Sequence, residues 1–279
     1  MVDPRGRWRL AAASIAVGSV TGAVGLPFLW MIAASFKSNP EIYGNPAAFW
    51  PESLSWGNYE LLWSDGGFPF LRLFSNSLAV AIVQTAVAVC TATMAGFVLG
   101  RYTFPGRRLV FGAALSTIVL PPPLLLIPLF LWIGEIGLTD TLLGVIMPGS
   151  VGGVGVLFIS AIMRRLPREL FDQARVEGAG EYALFWLVAL PLARPGIATY
   201  AFLHFVLAWH EHLLPLVVLR SPDRFTLGLV LAGMAGSARF PQGMVMAASV
   251  AMVVPAAVAY LIVRRHFAAA LAALNATEP

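Results

Sequence analysis

The densest group of chemistry-bearing side chains is HFVLAWHEH, which carries His204, His210 and His212, three of the four histidines, with Glu211 between the last two. Imidazoles beside a carboxylate raise the question of a metal site. A zinc-protease helix needs the spacing HExxH, which sets both imidazoles on one face, but four residues after His210 stands Leu214. On a helix His210 and His212 project about 200° apart, so they do not share an ion, and no metal ligands are assigned.

Other reactive groups are just as restrictive. The single lysine, Lys37, follows Phe36 and not a glycine, so the phosphate loop GxxxxGK[ST] is absent, and any ATP-driven work needs another subunit. Cys90 is the only cysteine, which rules out an intramolecular disulfide or a thiol metal cluster; it is expected as a small buried residue. With no Gly-x-Ser-x-Gly elbow and no pair of aspartates central to two apolar runs, the chain is expected not to be an enzyme.

The elements that position these residues are set by composition. Hydrophobic residues make up 58% and charged residues 11%, against about 25% charged in soluble domains, so the chain is an integral membrane protein. A helical span needs roughly 20 apolar residues, and six runs qualify: residues 10–34, 74–99, 109–133, 142–163, 197–219 and 243–263. They are continuous and not alternating, unlike barrel strands, so the fold is expected to be all-α with six transmembrane helices. The first run exceeds a signal peptide's apolar stretch of about 7 to 15 residues and is read as an uncleaved anchor. Residues 226–238 are apolar but too short to span, which suits an interfacial or re-entrant helix.

Basic residues flanking spans stay cytoplasmic. With the N-terminus inside, that side collects Arg5, Arg7, Arg9, Arg101, Arg107, Arg108, Arg164, Arg165, Arg168, Arg175, Arg194, Arg264 and Arg265, which is 13 of the 18 basic residues. Both termini are therefore expected in the cytoplasm. The net charge of +4 follows from this asymmetry and needs no nucleic acid as partner. Residues 1–73 form an anchor and extracytoplasmic loop, 74–267 a five-helix core, and 268–279 a cytoplasmic tail. In the loop, NYELLW reads as a short surface helix with Asn58 as its N-cap, and Pro121, Pro122 and Pro123 should kink or unwind the third run.

The longest cytoplasmic loop contains DQARVEGAGEYALFWLVALP. Proline and acids at its start and Gly178 and Gly180 past its end describe a short helix from Pro167. Leu170, Phe171 and Ala174 share one side, while Asp172, Arg175 and Glu177 point elsewhere. Such a helix lays its apolar side either in a partner's groove or on its own bundle or the headgroups.

The spacing of this stretch resembles the EAA loop of ABC importer permeases: EAA, three residues, Gly, nine residues, Ile, one residue, Leu-Pro. Asp172-Gln173-Ala174, Gly178, Val188, Leu190 and Pro191 stand at those offsets, with Asp for Glu and Gln for the first Ala. NSL from Asn76, RYTFPGR from Arg101, LPREL from Leu166 and WHEHLLPLVVL from Trp209 are similar to carbohydrate permeases of the maltose and glycerol-phosphate types. The resemblance implies a type I ABC importer permease core with the EAA loop at about 166–191, in the inner membrane of a bacterium or archaeon.

It also implies a second permease subunit in a heterodimer, two ATPase subunits that carry the ATP and magnesium, and an extracytoplasmic solute-binding protein; this chain itself binds no cofactor. Leu170, Phe171, Asp172, Gln173, Ala174 and Gly178 would couple to the ATPase. Glu211 lies within the fifth run, where a mid-bilayer charge costs about 2.5 to 3.5 kcal/mol, so it should face the bundle interior. There it either lines a sugar path with Trp209, His210 and His212 or pairs with the partner permease. Gly233 and Gly236, in the outward loop, would allow close approach of the binding protein. The alternatives are a permease for a glycerophosphodiester, peptide or amino acid, or a non-transporting membrane scaffold.

Overall fold

The computed structural model describes residues 4–64, 69–234, 237 and 240–275, and every regular element among them is helical. In chain order these are α1 (Pro4–Ser35), α2 (Asn39–Gly44), α3 (Gly57–Trp63), α4 (Phe70–Arg101), α5 (Arg107–Val119), α6 (Pro122–Glu135), α7 (Leu142–Gly149), α8 (Gly153–Arg165), α9 (Arg168–Val176) and α10 (Glu181–Ala183). A π-helical stretch (Leu184–Ala189) leads into α11 (Leu190–His210), followed by α12 (Leu213–Val218), α13 (Leu227–Met234) and α14 (Gln242–Asn275).

Four helical segments are long and apolar enough to cross a membrane: Ala13–Ser35, Phe70–Arg101, Glu181–His210 and Gln242–Arg265. Two bent pairs satisfy the same test together, α5 with α6 at 109° and α7 with α8 at 41°. The proline triplet does more than kink its run. Leu120 and Pro121 are both extended, because proline disfavours helical backbone in the residue before it and removes the donors that would continue the ladder.

The fifth span differs from its expected position at 197–219. Its helix begins at Glu181, directly after Gly180, and ends at His210. Arg194, Pro191 and Pro195 interrupt the apolar run there, yet Pro191 is accommodated because the preceding turns widen. The Leu190 amide reaches the Phe185 carbonyl in the π pattern, which relieves the clash a proline makes with an α-helical turn. Residues 213–218 form the separate helix α12.

The residues fall into two compact units. In the smaller, residues 1–70 and 233–253, the last carbonyls of α1 lack helical partners, as at any helix C-terminus. Asn58 supplies them: its Nδ2 donates to the carbonyls of Ser35 (2.9 Å) and Lys37 (2.7 Å). Asn58 is thus buried inside α3 and is not its N-cap; Trp56 holds that position. The side chain of Lys37 is buried and donates to the Ala48 carbonyl. Gly243 packs so tightly here that a Cβ would lie 2.4 Å from the Asn58 amide.

In the larger unit, residues 71–232 and 254–279, α4 lies against α8 through Gly96 and Gly100. A Cβ on Gly100 would stand 2.7 Å from Met163 Cβ and 2.9 Å from the Ser160 carbonyl. Small residues four apart let two backbones approach where no hydrophobic force sorts helices from lipid. Cys90 is exposed on the surface of α4, against the expectation that it is buried, because a span's outer face meets lipid or another subunit and stays apolar.

Two clusters fill this unit. One joins Phe97, Leu99, Ile159, Met163, Phe171, Leu184, Phe185 and Tyr200. The other joins Val80, Ile133, Val145, Ile146, Leu214 and Val218 and is closed by a polar clasp. Asp140, at φ 56°, accepts from the backbone amides of Arg220 and Ser221 at 2.9 Å and from Ser221 Oγ at 2.6 Å. Nearby, Asn76 donates to the carbonyls of Asp223 and Phe225, and Ser77 Oγ accepts from the Leu227 amide.

Gly100→Ala should lower the thermal unfolding midpoint of the purified protein, by the roughly 1–3 kcal/mol of an overpacked core. Gly112→Ala, where nothing lies within 4 Å of the new Cβ, should hold or raise it. The Ser221 hydroxyl, the amides of Ser221 and Arg220, and the Arg224 guanidinium hold the Asp140 carboxyl down from its ordinary 3.8 to about 2. A folded value below the unfolded one means the clasp stabilises fully above about pH 4 and is lost as pH falls through about 2. The stability gap between wild type and Asp140→Asn, read by thermal denaturation, should therefore narrow across that window.

Candidate functional site

The helix α9 carries the EAA-like residues, and its polarity is written in its ends. Glu169 lies in its first turn and Arg175 in its last, each complementing the helix dipole. It stops in a Schellman turn: the Gly178 amide donates to the Arg175 carbonyl at 3.0 Å and the Ala179 amide to that of Ala174 at 2.9 Å. Gly178 has φ +89°, the left-handed conformation this turn needs and glycine adopts without penalty.

Beneath the helix, Phe171 is only 1% exposed and belongs to the larger apolar cluster of α4, α8 and the π-helical stretch. The Arg101 guanidinium lies 3.7 Å from the centre of its ring and donates to the carbonyls of Leu166 (3.0 Å) and Met163 (3.4 Å). Around the turn, Glu181 accepts from the Tyr102 hydroxyl and pairs with Arg175 at 3.4 Å, and Arg175 pairs with Asp172 at 3.3 Å. Burying Phe171 is worth roughly 1.5–3 kcal/mol, whereas exposed ion pairs contribute about 0–1 kcal/mol each. The aromatic anchor, not the charges, fixes α9 to its bundle.

The residues assigned to coupling from the sequence therefore separate. Phe171 and the half-buried Ala174 face inward, while Leu170, Asp172 and Gln173 are exposed, Leu170 at 40%. Phe171 holds the helix from beneath and presents nothing to a partner. The sequence reading missed Val176, the most outward apolar side chain of the helix at 90% exposure, and Tyr182, at 87%. Both lie inside the motif, and the signal was there: an apolar residue in the last turn that helical spacing sets away from Phe171. Arg101, Tyr102 and Glu181 were missed as well, since the first two lie some 70 residues upstream.

The second group divides likewise. Trp209 is 1% exposed and stacks against Phe205 (6.2 Å between ring centres, 11° between planes), with Phe74 edge-on at 5.4 Å. It is a packing residue and offers no open face to a solute. Glu211 does not sit inside a continuous span: it follows the end of α11, in extended backbone. Its Oε1 accepts from the amides of Leu213 (2.7 Å) and Leu214 (3.2 Å), which opens α12. Those first amides have no helical partner, so the carboxylate is satisfied inside its own chain. His210 and His212 are exposed, with Nδ1 donating to the carbonyls of Val206 and His210 respectively. His204, unassigned in sequence, ties three elements together: its Nε2 donates to the Gly149 carbonyl (3.1 Å) and its Nδ1 accepts from Thr85 Oγ1 (3.2 Å). Gly233 lies in the last turn of α13, exposed, with nothing within 4 Å of an added Cβ; Gly236 lies outside the described residues.

Residues 92–272 match the family described as "Binding-protein-dependent transport system inner membrane component". The chain belongs to this family. This permease is 33% identical to the arabinooligosaccharides transport system permease protein AraQ of Halalkalibacterium halodurans, over 88% of each chain. It is 32% identical to the trehalose transport system permease protein SugB of Mycobacterium tuberculosis, over 90% of this chain and 92% of that one. Its fold superposes on a chain of a bacterial ABC transporter involved in the import of the acidic polysaccharide alginate, with a TM-score of 0.79, 18% identity, and 96% and 99% of the two chains covered. The permease is a non-catalytic membrane component of its transporter, and its all-helical type I fold agrees with the sequence reading.

Phe171→Ala should cost the permease about 3–5 kcal/mol, seen as a fall in the thermal unfolding midpoint of the purified protein. Asp172→Ala, which removes only an exposed ion pair, should change it by less than about 0.5 kcal/mol.

Proposed function

We infer that this chain is the membrane-spanning permease of an ATP-driven importer for an oligosaccharide or a similar polyhydroxylated solute. The observation that carries the solute class is the set of relatives near one-third identity over more than four-fifths of both chains, whose names specify arabinooligosaccharides, trehalose and, in Streptomyces coelicolor, diacetylchitobiose. Counting each bent pair as one span gives six, an even number that returns the C-terminus to the side of the N-terminus; the arginine asymmetry makes that side the cytoplasm of a bacterial or archaeal cell.

In this reading the chain pairs with a second permease, and a solute-binding protein delivers cargo outside, near the loop of Gly233 and Gly236. Two cytoplasmic ATPases bind ATP and magnesium, and the permease itself carries no cofactor. One ATPase receives α9 through Leu170, Gln173, Val176 and the Asp172 edge. Closure of the ATPases displaces α9, and Phe171 passes that displacement to α4, α8 and α11 through shared packing. Gly178 sets the exit angle of the chain, so the thrust on α9 enters α11 directly. His210 and His212 flank the break between α11 and α12, where exposed imidazoles suit hydroxyl recognition, while Glu211 keeps that break open by capping α12 and Trp209 backs it.

The test is reconstitution of the permease with its partner subunits, ATPases and binding protein in proteoliposomes. Uptake of a labelled oligosaccharide or disaccharide coupled to ATP hydrolysis is expected, and selective uptake of amino acids or peptides would overturn the solute class. Gly178→Val, whose only defect is the positive φ, should reduce solute-stimulated hydrolysis about tenfold or more at normal complex yield. Gly178→Asn, which tolerates that conformation, should retain most of it. Normal stimulation in Gly178→Val would remove the coupling role from this turn.

A further inference from the structure

Along the flank of α9 formed by Arg168, Asp172 and Arg175 lies a cleft of about 550 Å³. Five arginines line it, Arg101, Arg107, Arg164, Arg168 and Arg175, with one carboxylate, Asp172. That carboxylate already pairs with Arg175, and among the described residues the other four guanidiniums pair with none. The excess of cations is drawn from the end of α4, the starts of α5 and α9, and the ends of α8 and α9. An orientation rule explains arginines on a cytoplasmic side; it does not explain their convergence on one concavity, where like charges repel.

The donors are not exhausted. A guanidinium carries five N–H groups in a planar fork. Arg101 spends Nη1 on the carbonyls of Met163 and Leu166, and Arg107 spends Nε and Nη2 on that of Leu99. These bonds orient the two heads and leave other N–H groups on each. Arg164 and Arg168 make no hydrogen bond within the described residues, although Arg164 faces the Phe111 ring at 5.6 Å. Oriented forks beside unspent ones match the several oxygens of a tetrahedral oxyanion, and arginine favours phosphate because two parallel N–H groups meet two oxygens.

The position narrows the chemistry. The spanning segment of α4 ends at Arg101, while α5 and α8, halves of the two bent spans, begin and end at Arg107 and Arg165. The cleft therefore sits at the level where apolar helix gives way to water, the depth at which basic pockets between helices hold lipid headgroups. We propose that the arginine-lined cleft beside α9 is a binding site for a phosphate group, presented by an anionic phospholipid headgroup or supplied as free phosphate. A phosphate there bridges Arg168 and Arg175 of α9 to Arg101, Arg107 and Arg164 of the bundle, stiffening the attachment of α9 along that flank. The site is independent of which solute is carried.

The test uses the assembled transporter, delipidated in detergent and titrated with phosphatidylglycerol, with phosphatidylcholine and with inorganic phosphate, potassium chloride keeping ionic strength constant. A saturable rise in thermal unfolding midpoint is expected with phosphatidylglycerol or phosphate and not with phosphatidylcholine. A rise confined to phosphatidylglycerol assigns the lipid, and one produced by inorganic phosphate assigns the free anion. Arg164→Gln and Arg168→Gln, which break no hydrogen bond within the fold, should each raise the half-saturating concentration about tenfold, the scale of one charge-assisted hydrogen bond. The proposal is overturned if neither ligand gives a saturable rise, or if both variants respond as wild type does. It is also overturned if the variants shed the ATPase subunits on size-exclusion chromatography while their phosphatidylglycerol and phosphate responses stay unchanged, which makes the cleft a protein-docking surface.

Discussion

The mechanics of the larger unit rest on one contact: the ring of Phe171, buried in the bundle and covered by the Arg101 guanidinium. A helix of nine residues is too short to be stable on its own in water, so α9 exists because its aromatic side chain is shared with α4, α8 and the π-helical stretch. That dependence works in both directions. A force applied to the exposed face is felt by Phe171 before it is felt by any ion pair, because packed apolar contacts have steep repulsive walls and surface charges do not. The Schellman turn at Gly178 then fixes the direction in which the chain leaves α9 for the next helix.

Elsewhere the fold is organised by interruptions and by how each is satisfied. Broken backbone is tolerated at membrane depth only where its polar groups find partners. After α11 the Glu211 carboxylate receives two amides of α12; between α6 and α7 the Asp140 carboxylate receives those of Arg220 and Ser221; at the end of α1 the Asn58 amide takes two carbonyls. In every case a short polar side chain from an apolar neighbourhood replaces the hydrogen bonds a regular helix would have made. Glu211 is the instructive one. Its apparent cost inside an apolar run disappears once the run is two helices and the carboxylate belongs to the junction.

The class of fold was legible because it depends on composition and run length, and the turn that ends α9 because glycine beyond a helix end has few other meanings. The arrangement of the site was legible only where it is local. Asp172 to Gly178 follow one another in the chain, so spacing alone gives their order. Arg101 and Tyr102 reach the same turn from about 70 positions upstream, and nothing in periodicity links them. The fifth span starts earlier than its apolar run because Pro191, Arg194 and Pro195 interrupt that run without ending the helix, and the widened π-helical turns that accommodate Pro191 leave no mark in composition. Trp209 looked available because aromatic residues beside histidines suggest a binding face; its burial follows from Phe74 and Phe205, contacts fixed by tertiary packing.

The 109° bend between α5 and α6 bears on how far either helix can reach. With 13 and 14 residues, each helix is about 20 Å long at 1.5 Å per residue, short of the roughly 30 Å hydrocarbon core. Neither half alone reaches across that core. Only together do the two halves offer that much apolar length. The backbone of α5 at Ala114 closes on Gly153 at the start of α8, so the first half of one bent pair takes its seat from the other bent pair and not from its own second half.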